Sequence, residues 1–117
     1  MKDDRFDKEF EYMLLTSLEQ PSKTKEFIKD DANKLRYNLL PSKELAQVVE
    51  VLDKGAKKYG VDNWKKCDDT TRYIDALFRH LEAYRQGEML DKEDNLHHLA
   101  HLVCNALFLL YFENNKK

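Results

Sequence analysis

Glycine and proline are nearly missing from this chain. Only Gly55, Gly60, Gly87, Pro21 and Pro41 punctuate its 117 residues. Such scarcity favours long helices, because these two residues are the ones that most often end them. It also excludes a class of ligand site. Neither a Walker loop nor a dinucleotide fingerprint can be assembled from glycines at these positions. Any phosphate bound here is held by side chains or helix ends. No segment shows convincing strand alternation, so the expected fold class is all-α: a bundle of three body helices plus an N-terminal helix.

Hydrophobic residues make up 42% of the chain and charged residues 36%, enough for one core inside a heavily charged surface. Lys+Arg 20 against Asp+Glu 22 leaves a net charge of −2, without the basic excess of a general nucleic-acid binder. No apolar run reaches the ~18 residues that span a bilayer. The opening Met-Lys-Asp-Asp-Arg lacks an apolar signal segment, so the expected address is cytoplasmic. Cys67 and Cys104 suit free thiols in a reducing compartment.

One boundary is expected, between a charged leader (1–33) and a compact all-α body (34–117). In the leader, Phe6, Phe10, Met13, Leu14 and Leu18 recur at helical spacing before Pro21, and this helix is expected to pack on the body or on a second subunit. In the body, Ser42 can cap a helix through Lys58, with Leu45, Val48, Val49, Leu52 and Ala56 as its core stripe. Asp69 or Thr70 can cap a second helix through Gln86, closed by Gly87. Asp94 can cap a third through about Glu113, with Leu96, Leu99, Val103, Ala106, Leu107 and Leu110 as its apolar face. Leu102, Phe108, Leu109 and Phe112 exceed what one small bundle can bury and suggest a homo-oligomer.

Chemistry-bearing residues cluster along this frame. Asp94, His98, His101 and Asn105 follow steps of four, three and four, which return to one face of a helix. Imidazoles and an amide on an otherwise apolar helix need partners. Arg72 and Arg79 share a side of the second helix with Ala76 between them and His80 adjacent, a cationic face suited to phosphate. The alternative is a solvated face paired with Asp75 and Glu82. Lys34, Arg36 and Tyr37 precede Pro41, and Lys58, Tyr59, Asn63 and Trp64 follow the first helix. Aromatics there can stack on a base while the cations hold its phosphates, although Trp64 can equally cover the bundle end. Glu88, Asp91 and Glu93 between the second and third helices offer oxygen ligands for Mg²⁺.

Taken in order, these residues resemble a known family. Lys34-Leu-Arg36-Tyr37-Asn38-Leu39-Leu40-Pro41 opens the pattern, and Gly55-Ala56-Lys57-Lys58-Tyr59-Gly60 with Asn63-Trp64 follows. Then come Ala76-Leu-Phe-Arg79-His80-Leu81, Gly87-Glu88 with Asp91 and Glu93, and His98-Leu99-Ala100-His101 with Asn105. The string resembles the N-terminal domain of dATP/dGTP diphosphohydrolases of phages and bacteria, relatives of the all-α MazG-type nucleoside triphosphate pyrophosphatases. The resemblance covers about Lys34 to Glu113. It implies a small-molecule nucleotide as partner, cleavage of a purine (d)NTP to (d)NMP and pyrophosphate, and Mg²⁺ or Mn²⁺ as cofactor. It implies His80, His98, His101 and Asn105 in catalysis. Lys34, Arg36, Tyr37, Lys58, Tyr59, Asn63, Trp64, Arg72 and Arg79 would bind substrate, and Glu88, Asp91 and Glu93 would bind metal. The host cytoplasm would be the location for a phage-encoded chain.

The chain also departs from the MazG pattern. Glu44 pairs with Gln47 rather than a second acid, and His98 and His101 stand where a carboxylate pair is expected. Asn38 and Asn95 replace an expected Asp and Gly. The departures keep two other readings open: a nucleotide-sequestering protein of phage type that does not hydrolyse its ligand, and a structural helical interaction protein.

Overall fold

The computed structural model describes residues 26–117. The N-terminal helix expected before Pro21 lies outside them. The chain divides into two compact units, Met1–Leu35 and Arg36–Lys117. Every helix among the described residues belongs to the second unit.

A 3₁₀ turn, Tyr37–Leu39, leads into α1, Ser42–Tyr59. A second 3₁₀ turn, Asn63–Lys66, precedes α2, Thr71–Arg85, and α3 spans His98–Asn114. The only β pairing among the described residues is one isolated antiparallel bridge, Leu90 with His97, so the unit is all-helical. No helix among these residues is long and apolar enough to cross a membrane.

Helix ends follow local chemistry, with two differences from expectation. Ser42 is the first residue of α1, with Pro41 as the cap, so its hydroxyl is not the N-cap acceptor. Proline tolerates this place because the helix start leaves amide donors unpaired in any case. α3 begins at His98 rather than just after Asp94, and the Nδ1 of His97 accepts the Leu99 N–H as its cap. Asp94 instead accepts the Leu96 N–H inside the preceding loop. At the end of α2, Gly87 adopts φ 101°. Its N–H reaches the Tyr84 carbonyl and the Glu88 N–H reaches that of Ala83, a Schellman closure that glycine's freedom at positive φ permits.

α3 is the common partner, packing against both α2 and α1. The buried apolar core is small: Val48 from α1 with Ala100 and Cys104 from α3, lined by Val51, Leu52 and Phe108. The Cys104 thiol donates to the Val48 carbonyl at 3.4 Å. Burial pushes this thiol up to about 11, so it remains protonated.

The orientation of α3 reverses the expected one. Leu99, Val103, Leu107 and Leu110, expected to face the core, are exposed, while His98 and Asn105 are buried. The helix is apolar around most of its circumference, so periodicity alone cannot orient it. On the inner side the polar stripe finds protein partners, His80 and Glu88 for His98 and the His101 carbonyl for Asn105. Leu102, Phe108, Leu109 and Phe112, expected as surplus surface, are half-buried. On α1, Leu45 and Val49 are exposed and Val51 joins Val48 and Leu52 instead. With α3 as its main neighbour, α1 buries only a narrow strip.

Candidate functional site

Three imidazoles and two carboxylates meet where α2, the loop after it and the first turn of α3 converge. α2 supplies His80 from a half-buried stripe, Tyr73, Ala76, Leu77, His80 and Ala83. α3 supplies His98 and His101, three residues apart on its inner face. The loop supplies Asp91 and Asp94, with Glu88 behind the His98 ring.

The loop is shaped to present these acids. Its N–H groups at Asp91 and His98 donate to the carbonyls of Leu96 and Met89. Asp91 Oδ1 accepts the Glu93 N–H at 2.8 Å, and Asp94 Oδ1 accepts the Leu96 N–H at 3.0 Å. Each aspartate thus ties its own turn with one oxygen and keeps the other for the cluster. Asn95 sits at φ 61°. Asparagine is among the few residues that tolerate that region, which explains how it stands where glycine was expected. From α1, Lys54 Nζ donates to the Asp94 carbonyl at 2.9 Å and fastens the loop.

Inside the cluster, His80 Nδ1 and His98 Nδ1 are 2.8 Å apart, and His98 Nε2 is 2.8 Å from Glu88 Oε2. A carboxylate can only accept, so in the neutral His98 ring Nε2 carries the proton and Nδ1 presents its lone pair inward. Asp91 Oδ2 stands 3.8 Å from His80 Nδ1 and 3.9 Å from His101 Nε2. His101 Nε2 lies 2.8 Å from Asp94 Oδ2. That approach is off the hydrogen-bonding direction, and the buried nitrogen has no hydrogen bond. The rings of His80 and His101 stack at 4.5 Å.

Burial, with His101 and His98 alongside, pulls His80 down to about 4, so its ring is neutral at neutral pH. Burial works to raise the Asp94 carboxyl, but the Leu96 N–H, the His101 ring and the Lys54 ammonium hold it below the usual carboxylate value. A neutral imidazole beside ionised acids is the state in which nitrogen and oxygen coordinate a cation. Two sets have donor atoms all within 4.8 Å of one another: His80, Asp91 and His98, and Asp91, Asp94 and His101. An orphaned buried nitrogen and two such sets fit a divalent ion.

The structure therefore brings together His80, His98, His101, Glu88 and Asp91, and adds Asp94. Asp94 was legible as a member of the helical stripe but was expected as a cap. Glu93 is exposed and in neither donor set; its backbone serves Asp91. Asn105 is buried one turn further along, and its Nδ2 donates to the His101 carbonyl at 2.8 Å, supporting the helix beneath the ring.

The cations do not share a cavity with the histidines. Arg72 and Arg79 are exposed, because Ala76 and Ala83 lie on the half-buried stripe of α2 rather than flooring a depression. Lys58 is exposed beside the Tyr59 ring, 5.0 Å from its centroid, and is held above its usual value mainly by Tyr59, with Glu93 and Asp94 contributing. Arg36, Tyr37 and Asn63 are also exposed, and Lys34 is an exposed residue of the first unit. Trp64 covers the bundle end, stacked on Phe108 at 4.4 Å and edge-on to Tyr111 at 4.9 Å. A surface depression lined by Thr70, Ile74, Leu109 and Phe112 contains none of the expected site residues.

Comparison with known proteins agrees with the motif pattern. The family described as dATP/dGTP diphosphohydrolase, N-terminal, matches residues 24–117. The chain belongs to this family. A dATP/dGTP diphosphohydrolase of Salmonella phage PMBT28 is 33% identical over 89 residues, covering 76% of this chain and 30% of the relative. The chain thus spans less than a third of that relative's length. No solved structure matches it. For this diphosphohydrolase-family domain, the histidine–aspartate cluster is the site to which chemistry can be assigned.

Proposed function

We propose that this domain hydrolyses a (d)NTP, with purine deoxynucleotides as the expected substrates, to (d)NMP and pyrophosphate at the His80–Asp91–His98–His101 cluster, with Mg²⁺ or Mn²⁺. The observation that carries the reading is the convergence of three imidazoles and two carboxylates, among them a buried nitrogen without a hydrogen bond. Family membership supports a purine deoxynucleotide as the substrate class. A divalent ion held by these donors would neutralise phosphate charge and lower the pKa of a bound water. Water would attack the α-phosphorus as the bond to the bridging oxygen breaks and pyrophosphate departs.

The chain's own residues divide the remaining work. His80 suits a ligand better than a general base, since a group titrating near 4 accepts protons poorly at neutral pH. Glu88 fixes the His98 ring. Exposed Lys58, at the α1 end that faces Glu93 and Asp94, supplies positive charge for the triphosphate, and exposed Arg79, whose charge acts on His80, reaches phosphate from the rim. Tyr37, Tyr59 and Asn63 remain the groups for base and sugar.

The all-helical fold supports kinship with MazG-type pyrophosphatases, and the phage origin of the relative supports a setting in the host cytoplasm. The exposed stripe Leu99, Val103, Leu107 and Leu110 on α3 is the face by which copies of the chain would associate. Light scattering should give more than one chain's mass, reduced to one by Leu107→Glu. A monomeric parent would overturn association.

The direct test is incubation with each dNTP and either ion, with products resolved. dNMP and pyrophosphate in equal amounts are expected. Their absence with every substrate overturns hydrolysis, and tight binding with intact nucleotide recovered would establish the sequestering alternative.

A further inference from the structure

We propose that the cluster is a two-ion centre with Asp91 as the shared ligand, built for first-row transition ions in preference to Mg²⁺. One ion would take His80 Nδ1, His98 Nδ1 and Asp91; the other Asp91, Asp94 and His101 Nε2. The inference deepens the catalytic reading of the same cluster and rests on it for the substrate alone.

Four observations support it. Each set brings one donor atom per residue within 4.8 Å of the others, and Asp91 is common to both. Asp91 Oδ2 stands almost midway between the two imidazoles, 3.8 Å from His80 Nδ1 and 3.9 Å from His101 Nε2. The Nδ1 atoms of His80 and His98 are 2.8 Å apart. Two nitrogens bound at about 2.1 Å to one ion, at a right angle, stand about 3 Å apart, so little adjustment is needed. The fourth is the orphaned His101 nitrogen, at the second set rather than the first.

The donor types choose the ion. Three of the donors are imidazole nitrogens, which suit iron and the later first-row ions and hold Mn²⁺, the weakest binder of that series and its convenient paramagnetic probe, in preference to Mg²⁺, which retains its waters. Glu88 then acts as a positioning residue. It holds the Nε2–H of His98 and so directs Nδ1 inward, the carboxylate–histidine arrangement common behind metal ligands.

The test is Mn²⁺ titration of the full chain, without nucleotide, followed by calorimetry and electron paramagnetic resonance. Two Mn²⁺ per chain and a spin-coupled spectrum are expected, with equimolar Mg²⁺ failing to displace them. Asp91→Asn should abolish the coupling. His101→Gln should leave one ion. Glu88→Gln should keep both while weakening affinity about 10–100-fold. Circular dichroism checks folding, and the parent spectrum decides the matter if a variant does not fold. One ion per chain, an uncoupled spectrum or ready displacement by Mg²⁺ overturns the proposal. Two coupled ions without dNTP cleavage would sink the hydrolase reading and leave the centre standing. Cleavage with a single ion would do the reverse.

Discussion

The two ends of α3 are built from opposite materials. At its start, His98 and His101 meet His80, Asp91 and Asp94. Toward its other end, Phe108 lies against Trp64 and Tyr73, ring centroids 4.4 and 5.1 Å away, with Phe112 completing the stack. Aromatic packing is tolerant of direction and every ring contact adds to stability. The polar end is directional, and a buried group without a partner is a liability to the fold. His101 Nε2 comes close to that state: the Asp94 carboxylate is 2.8 Å away, but no aligned hydrogen bond is made. One end of the helix holds the domain together, and the other carries an unmet demand that an ion can meet.

Variants can break this division. Asp91→Asn should reduce dNTP cleavage by about 10²–10³-fold, as loss of one preorganised charge does elsewhere, with an unchanged circular dichroism spectrum. Equal activity in that variant would remove the polar end from the chemistry. Phe108→Ala should do the opposite. It should cost about 3 kcal/mol in denaturant unfolding while the rate per folded molecule stays at the parent level.

Acid titration of the ion-free protein sharpens the contrast further. His80 faces His98, His101 and Asp91, with Arg79 near, and titrates at about 4 against an ordinary value of 6.5. As pH falls from 6.5 to 4, the unfolded chain takes up this proton before the folded one. Stability attributable to neutral His80 is thus full above 6.5 and declines across that window. The melting temperature should fall there, and His80→Gln should flatten the decline. A parent curve with no slope between those values would contradict the burial of His80.

The smallest effect belongs to the aromatic end. The Tyr73 hydroxyl donates to the Trp64 carbonyl at 2.8 Å. Burial, with Cys67 beside it, pushes that hydroxyl up to about 12. Tyr73→Phe should lower stability by about 1 kcal/mol, measured by urea unfolding, with no change in acid titration.

Particular residues show how far the sequence could be read. The long helices followed from sparse glycine and proline, and Gly87 marked the end of α2 because its positive φ suits glycine. His98, His101 and Asn105 were legible as one stripe from their spacing. Asp94 was visible in that stripe but was assigned to the wrong task, since an aspartate near a helix start reads as a cap unless the loop is known. Arg79 was expected on one phosphate-binding face with Arg72, Ala76 and His80. One residue on from Arg79 the helix has turned about 100°, so His80 faces inward while Arg79 is exposed.

Periodicity, turn chemistry and residue type are local properties. By themselves they determined an all-helical domain, a polar stripe on an apolar helix and an acidic loop before it. The rotation of α3 is not local. Both of its sides are apolar enough to be buried, so the choice depended on where His80, Glu88 and Asp91 offered partners for His98. Only the packed structure could decide that, because hydrogen bonds select by direction and distance, whereas apolar burial depends mainly on area.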